Sequence, residues 1–115
     1  MTPTSLKYAY AHEKLSDAIR ILATHPGNLR ERLVVAFNPL SPISSKDFPP
    51  SLQKDWDALK SRSTKSGPII DNKGIVTVGS LYRTLGNARY ITLTKIAEEL
   101  FSLFENLKDA MNNDI

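Results

Sequence analysis

The chain contains no cysteine among its 115 residues, and this absence removes several classes of chemistry. Disulfide bridges, thiol catalysis and zinc or iron–sulfur sites with cysteine ligands are excluded. The two histidines, His12 and His25, are too few for an ordinary structural zinc site. We therefore expect a fold held together by side-chain packing, with no metal and no cofactor.

Long hydrophobic runs are also missing. No apolar stretch approaches the roughly 20 residues that span a bilayer, and the N-terminus lacks the basic start and apolar run of a signal peptide. Hydrophobic residues make up 41% of the chain and charged residues 23%, which is ordinary globular composition. We expect one helical domain over residues 1–115, located in the cytoplasm and without membrane partners.

What the sequence does contain is helical periodicity, with apolar residues at three- and four-residue steps. The first such segment runs from Ser5 to Thr24 and stops at His-Pro-Gly-Asn, because Pro26 and Gly27 disfavour its continuation. Asn28 is then placed to cap a short second helix. This part of the chain predicts two helices joined by a tight turn.

A proline-rich loop over residues 38–50 follows the second predicted helix. Prolines fix their φ angles, so this loop is stiff, and we expect it to pack on the domain through Ile43 and Phe48. The proline pair at its end suits the first turn of a third helix, where a missing amide costs nothing. Trp56 is the expected core anchor of that helix.

The remaining segments predict a small hairpin and two further helices. Two β-prone runs surround Asp-Asn-Lys-Gly, and because two strands alone are barely stable we expect this hairpin to lean on the helices. Ser80 is expected to cap a short fourth helix, and Thr92 or Thr94 the last helix, whose regular apolar positions make it the spine of the core. The predicted fold class is mainly α, an irregular bundle of about five helices with a small β-hairpin near residues 69–78.

Charge is distributed unevenly along the chain. Residues 1–57 carry seven Lys and Arg against six Asp and Glu, residues 58–95 carry seven against one, and residues 96–115 carry one against five. The net charge of +3 therefore hides a basic middle and an acidic end, an asymmetry that bears on partners rather than on fold. The candidate binding residues are the cations Lys60, Arg62, Lys65, Lys73, Arg83 and Arg89, and Lys95 completes the basic middle.

Three interpretations of the basic middle stay open. It can be a solvated surface balanced by acids of the same molecule, or a face that meets DNA or RNA phosphates while Tyr82 and Tyr90 stack on bases. It can also bind protein, either a partner with an apolar patch near Phe101 at the contact or the acidic last helix of another copy. We favour a small non-catalytic binding protein that acts on a protein partner or as a homo-oligomer, with nucleic-acid binding as the alternative.

One short segment suggests an enzyme instead. In Arg-Ile-Leu-Ala-Thr-His, four residues separate Arg20 from His25 near the end of the first predicted helix. This spacing resembles the active motif of HEPN-type ribonucleases, which are small helical bundles with a composite site across a dimer; the polar residue usual after the arginine is replaced here by Ile21. The resemblance covers six residues and implies RNA cleavage, with His25 as general acid or base and Arg20 stabilising charge on the phosphate. The alternative is that His25 caps the last carbonyls of this helix.

Overall fold

The chain folds around a long helix at its C-terminal end. The computed structural model describes residues 7–113, apart from the side chains of Thr77 and Val78. The elements are α1 (Ala9–Thr24), α2 (Leu29–Ala36), a 3-10 turn (Ser45–Asp47), α3 (Pro50–Ser63), β1 (Ile69–Ile70), β2 (Val76–Val78), α4 (Ser80–Asn87) and α5 (Tyr90–Asn112). The predicted mainly α bundle is confirmed.

Helix α5 is the spine of the core, as its apolar periodicity predicts. It packs against α1, α2 and α3, while α4 packs against α2 and α3. Its inward side chains are Leu93, Ile96, Leu100, Leu103 and Leu107. Because these positions recur at three- and four-residue steps, they form one apolar stripe that the other helices cover.

Helices α1 and α2 are joined by the turn that the sequence predicts. Helix α1 ends at Thr24, and the predicted start of this helix at Ser5 lies outside the described residues. The Asn28 side chain accepts a hydrogen bond of 2.9 Å from the Glu31 amide, so the predicted cap of α2 is confirmed. Gly27 turns the chain with φ at 109°, a conformation that residues with a Cβ rarely adopt.

The proline-rich loop packs on the bundle as predicted. Ile43 and Phe48 are only 2% and 1% exposed, and the Phe48 ring stacks on Trp56 with 5.2 Å between ring centroids. Pro50 occupies the first turn of α3, where it removes no hydrogen bond. The loop and α3 therefore share one part of the core, centred on the tryptophan.

The predicted caps of the last two helices are wrong. Helix α4 already begins at Ser80, so the cap position falls on Gly79. This glycine directly follows β2 and has an extended backbone. Helix α5 begins at Tyr90, before Thr92 and Thr94, and its cap position is Arg89. Both threonines lie within the first two turns of this helix, so neither occupies its cap position.

The hairpin forms where it is predicted, but its side chains face solvent. Strands β1 and β2 pair antiparallel with an irregularity in register, and the Asp71 carboxylate closes the turn by accepting hydrogen bonds from the Lys73 and Ile75 amides, each 2.9 Å long. The exposed apolar residues are Ile69, Ile70, Ile75 and Val76, between 42% and 59% exposed. The expectation that the hairpin leans on the helices is therefore wrong for these side chains.

Among the helices of the described residues, none combines the length and the apolar character that a membrane crossing requires.

Candidate binding groove

An open groove lies where the end of α3 meets the corner between α4 and α5. Its volume is about 1000 Å³, and its lining includes the small side chains of Ala58 and Ala88. The turn that follows α3 forms one rim and the first turns of α5 form the other. We call this feature the basic groove, because the cations that line it are Arg62, Lys65, Arg89 and Lys95.

The cations of the basic groove differ in how far they are already neutralised. Arg62 forms an ion pair with Glu99, with 2.9 Å between Nη1 and Oε1. Within residues 7–113, no carboxylate lies within ion-pair distance of Lys65, Arg89 or Lys95. Lys95 lines a neighbouring cavity with Glu98 and Glu99, which lie three and four residues further along α5. The excess positive charge of the groove therefore rests chiefly on Lys65 and Arg89, and it favours an anionic partner.

Polar and apolar groups accompany this charge. Hydroxyls of Ser61, Ser66 and Thr92 and the amide of Asn87 line the groove and can donate or accept hydrogen bonds. Ile91 also lines it and is 77% exposed, which is unusual for an isoleucine. The groove thus combines charge, hydrogen-bonding groups and an exposed apolar side chain on one surface.

Two side chains of α4 hold the turn that carries Lys65. The Ser66 amide donates a hydrogen bond of 2.9 Å to Thr84 Oγ1, and Arg83 Nη1 donates one of 3.2 Å to the Ser66 carbonyl. Thr84 is only 8% exposed, so this anchor sits at the edge of the core. Arg83 thus has a positioning role: it fixes one rim of the groove.

The opposite wall is held by an arginine from a distant part of the sequence. Arg30, on α2, donates from Nη1 to the carbonyls of Leu85 and Ala88, at 2.5 and 2.8 Å, at the end of α4. Its guanidinium carbon also lies 5.5 Å from the centroid of the Tyr90 ring. Carbonyls at a helix C-terminus lack helical partners, so this one side chain fixes the corner from which Arg89 enters the groove.

The structure does not gather all six predicted contact residues in one place. Arg62, Lys65 and Arg89 line the basic groove, and Arg83 supports it. Lys60 instead lines a separate pocket on another side of α3, and Lys73 lies in the turn of the hairpin. The basic middle is therefore divided among three surfaces, of which the groove is the most highly charged.

The hairpin is attached to the basic groove through this turn. Ile69 follows Ser66 by three residues, so its backbone lies within about 11 Å of the groove rim. The chain returns to the helical body at Gly79, directly before α4. The exposed apolar side chains of the hairpin and the cations of the groove therefore belong to neighbouring surfaces.

Arg20 and His25, the residues of the ribonuclease-like spacing, do not line the basic groove. Arg20 is exposed on α1, and the His25 ring forms a hydrogen bond of 2.7 Å with the carbonyl of Pro26. The last turn of α1 is closed instead by the His25 amide, which donates to the Ile21 carbonyl, and by Thr24 Oγ1, which donates to the Arg20 carbonyl. The expected cap by the His25 side chain is wrong, because that ring bonds outside the helix.

Possible metal ligands are also scattered. Within residues 7–113, no group of three or more His, Asp or Glu side chains is placed to hold a metal ion. His12, half-buried on α1, stacks on Phe104 with 5.3 Å between ring centroids. This histidine belongs to the packing between α1 and α5.

Comparisons of the chain with protein-family models, with curated proteins and with solved structures find no match.

Proposed function

We propose that this chain is a non-catalytic binding protein whose basic groove receives an acidic segment of a protein partner. The observation that carries the proposal is the convergence of Lys65, Arg89 and Lys95, none of them in an ion pair within the described residues, in one open groove. The partner supplies the carboxylates that the groove lacks. Electrostatic complementarity of this kind steers association and selects partners by charge.

Exposed apolar side chains favour a protein over a nucleic acid as the partner. Ile91 lies in the groove itself, and the hairpin presents further isoleucines next to it. Protein interfaces bury a largely apolar centre within a polar rim, whereas binding to nucleic acid rests chiefly on contacts with phosphates. An apolar hairpin beside a charged groove has the composition of a protein interface.

Nucleic-acid binding is the second candidate, and two tyrosines favour it. Tyr82 and Tyr90 are 55% and 53% exposed. Each is adjacent in sequence to an arginine, Tyr82 to Arg83 and Tyr90 to Arg89. Exposed aromatic rings among cations can stack on unpaired bases. In this case the ligand is single-stranded, and its affinity falls steeply as salt is added.

The ribonuclease-like activity is a third candidate and has a direct test. RNA cleavage by the purified protein that disappears in both Arg20→Ala and His25→Ala supports it. Cleavage that persists in both variants excludes these residues as its source.

Fluorescence anisotropy with labelled probes separates the first two candidates. The probes are an acidic peptide that contains apolar residues, single-stranded RNA and double-stranded DNA, each at low and physiological salt. The test variant is the triple substitution Lys65→Ala, Arg89→Ala and Lys95→Ala. The matched control, Lys46→Ala, Lys54→Ala and Lys108→Ala, removes the same charge from exposed positions outside the groove.

We expect the acidic peptide to bind the native protein and the control but not the groove variant. Binding of RNA with a steep salt dependence, lost in the same variant, supports the second candidate instead. An equal loss of binding in both triple variants shows that only net charge matters, and it contradicts a role for the groove. Sedimentation velocity of the protein alone tests whether the acidic segment is the end of α5 in a second copy.

A further inference from the structure

A second, smaller concavity lies on another side of α3. Its volume is about 260 Å³, and it is formed by α3, by the turn after α2 and by the first turn of α4. We call it the Trp56 pocket. The residues that line it are Phe37, Leu40, Ser41, Trp56, Lys60, Ser63, Thr64 and Leu81.

The wall of the Trp56 pocket is apolar and built from the core. Phe37, Leu40 and Trp56 are 8%, 3% and 2% exposed, so the bundle fixes their positions before any ligand arrives. Trp56 is held further by its stacking on Phe48. Small-molecule sites are mostly apolar and largely preformed, with a few polar groups that set the orientation of the ligand.

Most polar groups of the Trp56 pocket already have hydrogen-bond partners within the protein. The hydroxyls of Ser63 and Thr64 both donate to the Lys60 carbonyl, at 3.0 and 2.7 Å, and that of Ser41 donates to the Asn38 carbonyl at 3.1 Å. Their protons are thus committed to the backbone, and what they offer a ligand is acceptor capacity. The one lining residue that carries a cationic donor is Lys60, an exposed residue whose ammonium is in no ion pair among the described residues.

We propose that the Trp56 pocket binds a small apolar carboxylate, with its hydrocarbon part against Leu81 and the apolar wall beside Trp56 and with its carboxylate on Lys60. A charge-assisted hydrogen bond at one end and an apolar wall at the other fix the orientation of such a ligand. The pocket is below the size that drug-sized ligands occupy, so the ligand is a single ring or a short chain. The proposal does not depend on the basic groove, which Lys60 does not line.

The pocket carries its own reporter, because Trp56 is the only tryptophan of the chain. Tryptophan fluorescence is therefore followed while the protein is titrated with phenylacetate. Phenylacetamide and phenethylamine, which keep the ring and change the charge, are the comparison probes. We expect a saturable change with phenylacetate, with a Kd on the order of 1 mM or lower, and binding weaker by about tenfold or more for the other two probes.

Two lysine variants assign the charge. Lys60→Met keeps the length of the side chain and removes the ammonium, and we expect it to weaken phenylacetate by about tenfold while phenylacetamide is unaffected. Lys54→Met, on an exposed position of the same helix and outside the pocket lining, is the matched control and keeps native affinity. Leu81→Phe fills the pocket from α4 without touching the charge and should abolish binding of every probe.

The absence of a saturable change in the native protein overturns the proposal. Equal affinities for the three probes, or native affinity for phenylacetate in Lys60→Met, also overturn it. Each variant is first checked by circular dichroism for its helix content and melting temperature. Anisotropy with the acidic peptide, run on Lys60→Met, should stay native, so failure here is distinguishable from failure of the groove.

Discussion

Arg30 offers the sharpest test of how the basic groove is built. Its Nη1 donates to the carbonyls of Leu85 and Ala88, and more weakly to that of Gly86 at 3.3 Å, all from a half-buried position. Arg30→Ala removes these bonds; the Leu85 carbonyl then keeps only a long bond of 3.4 Å from the Ala88 amide, and the carbonyls of Gly86 and Ala88 lose the donor that Arg30 supplies. A hydrogen bond to a charged group contributes about 1.5–3 kcal/mol, and the stacking over the tyrosine of α5 about 0.5–1 kcal/mol.

We therefore expect Arg30→Ala to lower the free energy of unfolding by about 2–4 kcal/mol. The loss is larger the less water reaches the freed carbonyls. For a domain of this size, the corresponding loss in melting temperature is roughly 10 °C. Urea unfolding followed by circular dichroism gives the free energy directly. In the Arg30→Ala variant, amide hydrogen exchange should be accelerated over the native protein more at residues 85–92, where the corner is fixed, than in α1.

Two comparison variants make this prediction refutable. Arg20→Ala removes an exposed arginine whose side chain makes no hydrogen bond or ion pair in the described part of the chain, and it should change stability by less than about 0.5 kcal/mol. Arg30→Lys keeps the charge but lacks the planar guanidinium, and its free energy of unfolding should lie between those of Arg30→Ala and the native protein. If Arg30→Ala costs no more than Arg20→Ala, the guanidinium does not hold the corner.

Three further predictions test the turns and the charge balance. Gly27→Ala should destabilise the protein by about 2 kcal/mol because φ is 109° there. Gly86→Ala, in a helix and with open space around it, should stabilise the protein by up to about 1 kcal/mol. Thermal melts should therefore show a lower melting temperature for the first variant and a higher one for the second. Thr84→Val removes the acceptor of a turn amide, so we expect a loss of about 1–2 kcal/mol and faster proteolysis at that turn; a native cleavage rate contradicts this. Glu99→Gln should change stability by less than about 1 kcal/mol but tighten the acidic peptide, because it frees Arg62; unchanged affinity in anisotropy would show that the ion pair does not compete with the peptide.

Much of the bundle could be predicted from the sequence because the signals are local. Apolar spacing identifies the buried face of a helix wherever that face meets other helices, as at Leu93 and Leu100. The cap by Asn28 depends on a residue only three positions away. Such features need no knowledge of how distant segments meet.

The predictions failed where tertiary contacts decide the outcome. Thr92 has the chemistry of a cap, but the corner before α5 is short and held by Arg30, so the helix begins earlier. The strand pattern near residues 69–78 predicted pairing correctly. It carried no information about the packing of the hairpin, since strands of two and three residues are too short to present a continuous face.

The candidate site shows the same limit. Charge counting identified the basic middle, but long side chains on one helix point to different surfaces, and Lys60 and Arg62 separate although only one residue lies between them. Arg30 lies outside the basic middle and nevertheless fixes one wall of the groove. Its role depends on packing between α2 and α4, for which the sequence has no local signal.

The position of α5 in the chain also has a consequence during protein synthesis. Because α1, α2 and α3 all bury their apolar faces against α5, none of them can complete its packing while the ribosome is still translating the residues before Tyr90. At roughly 5–20 residues per second, the nascent chain exposes these apolar faces for seconds. We expect a ribosome-stalled chain that ends before Tyr90 to associate with chaperones. The full sequence, stalled after an added C-terminal linker long enough to bring Asn112 out of the exit tunnel, should be free of them.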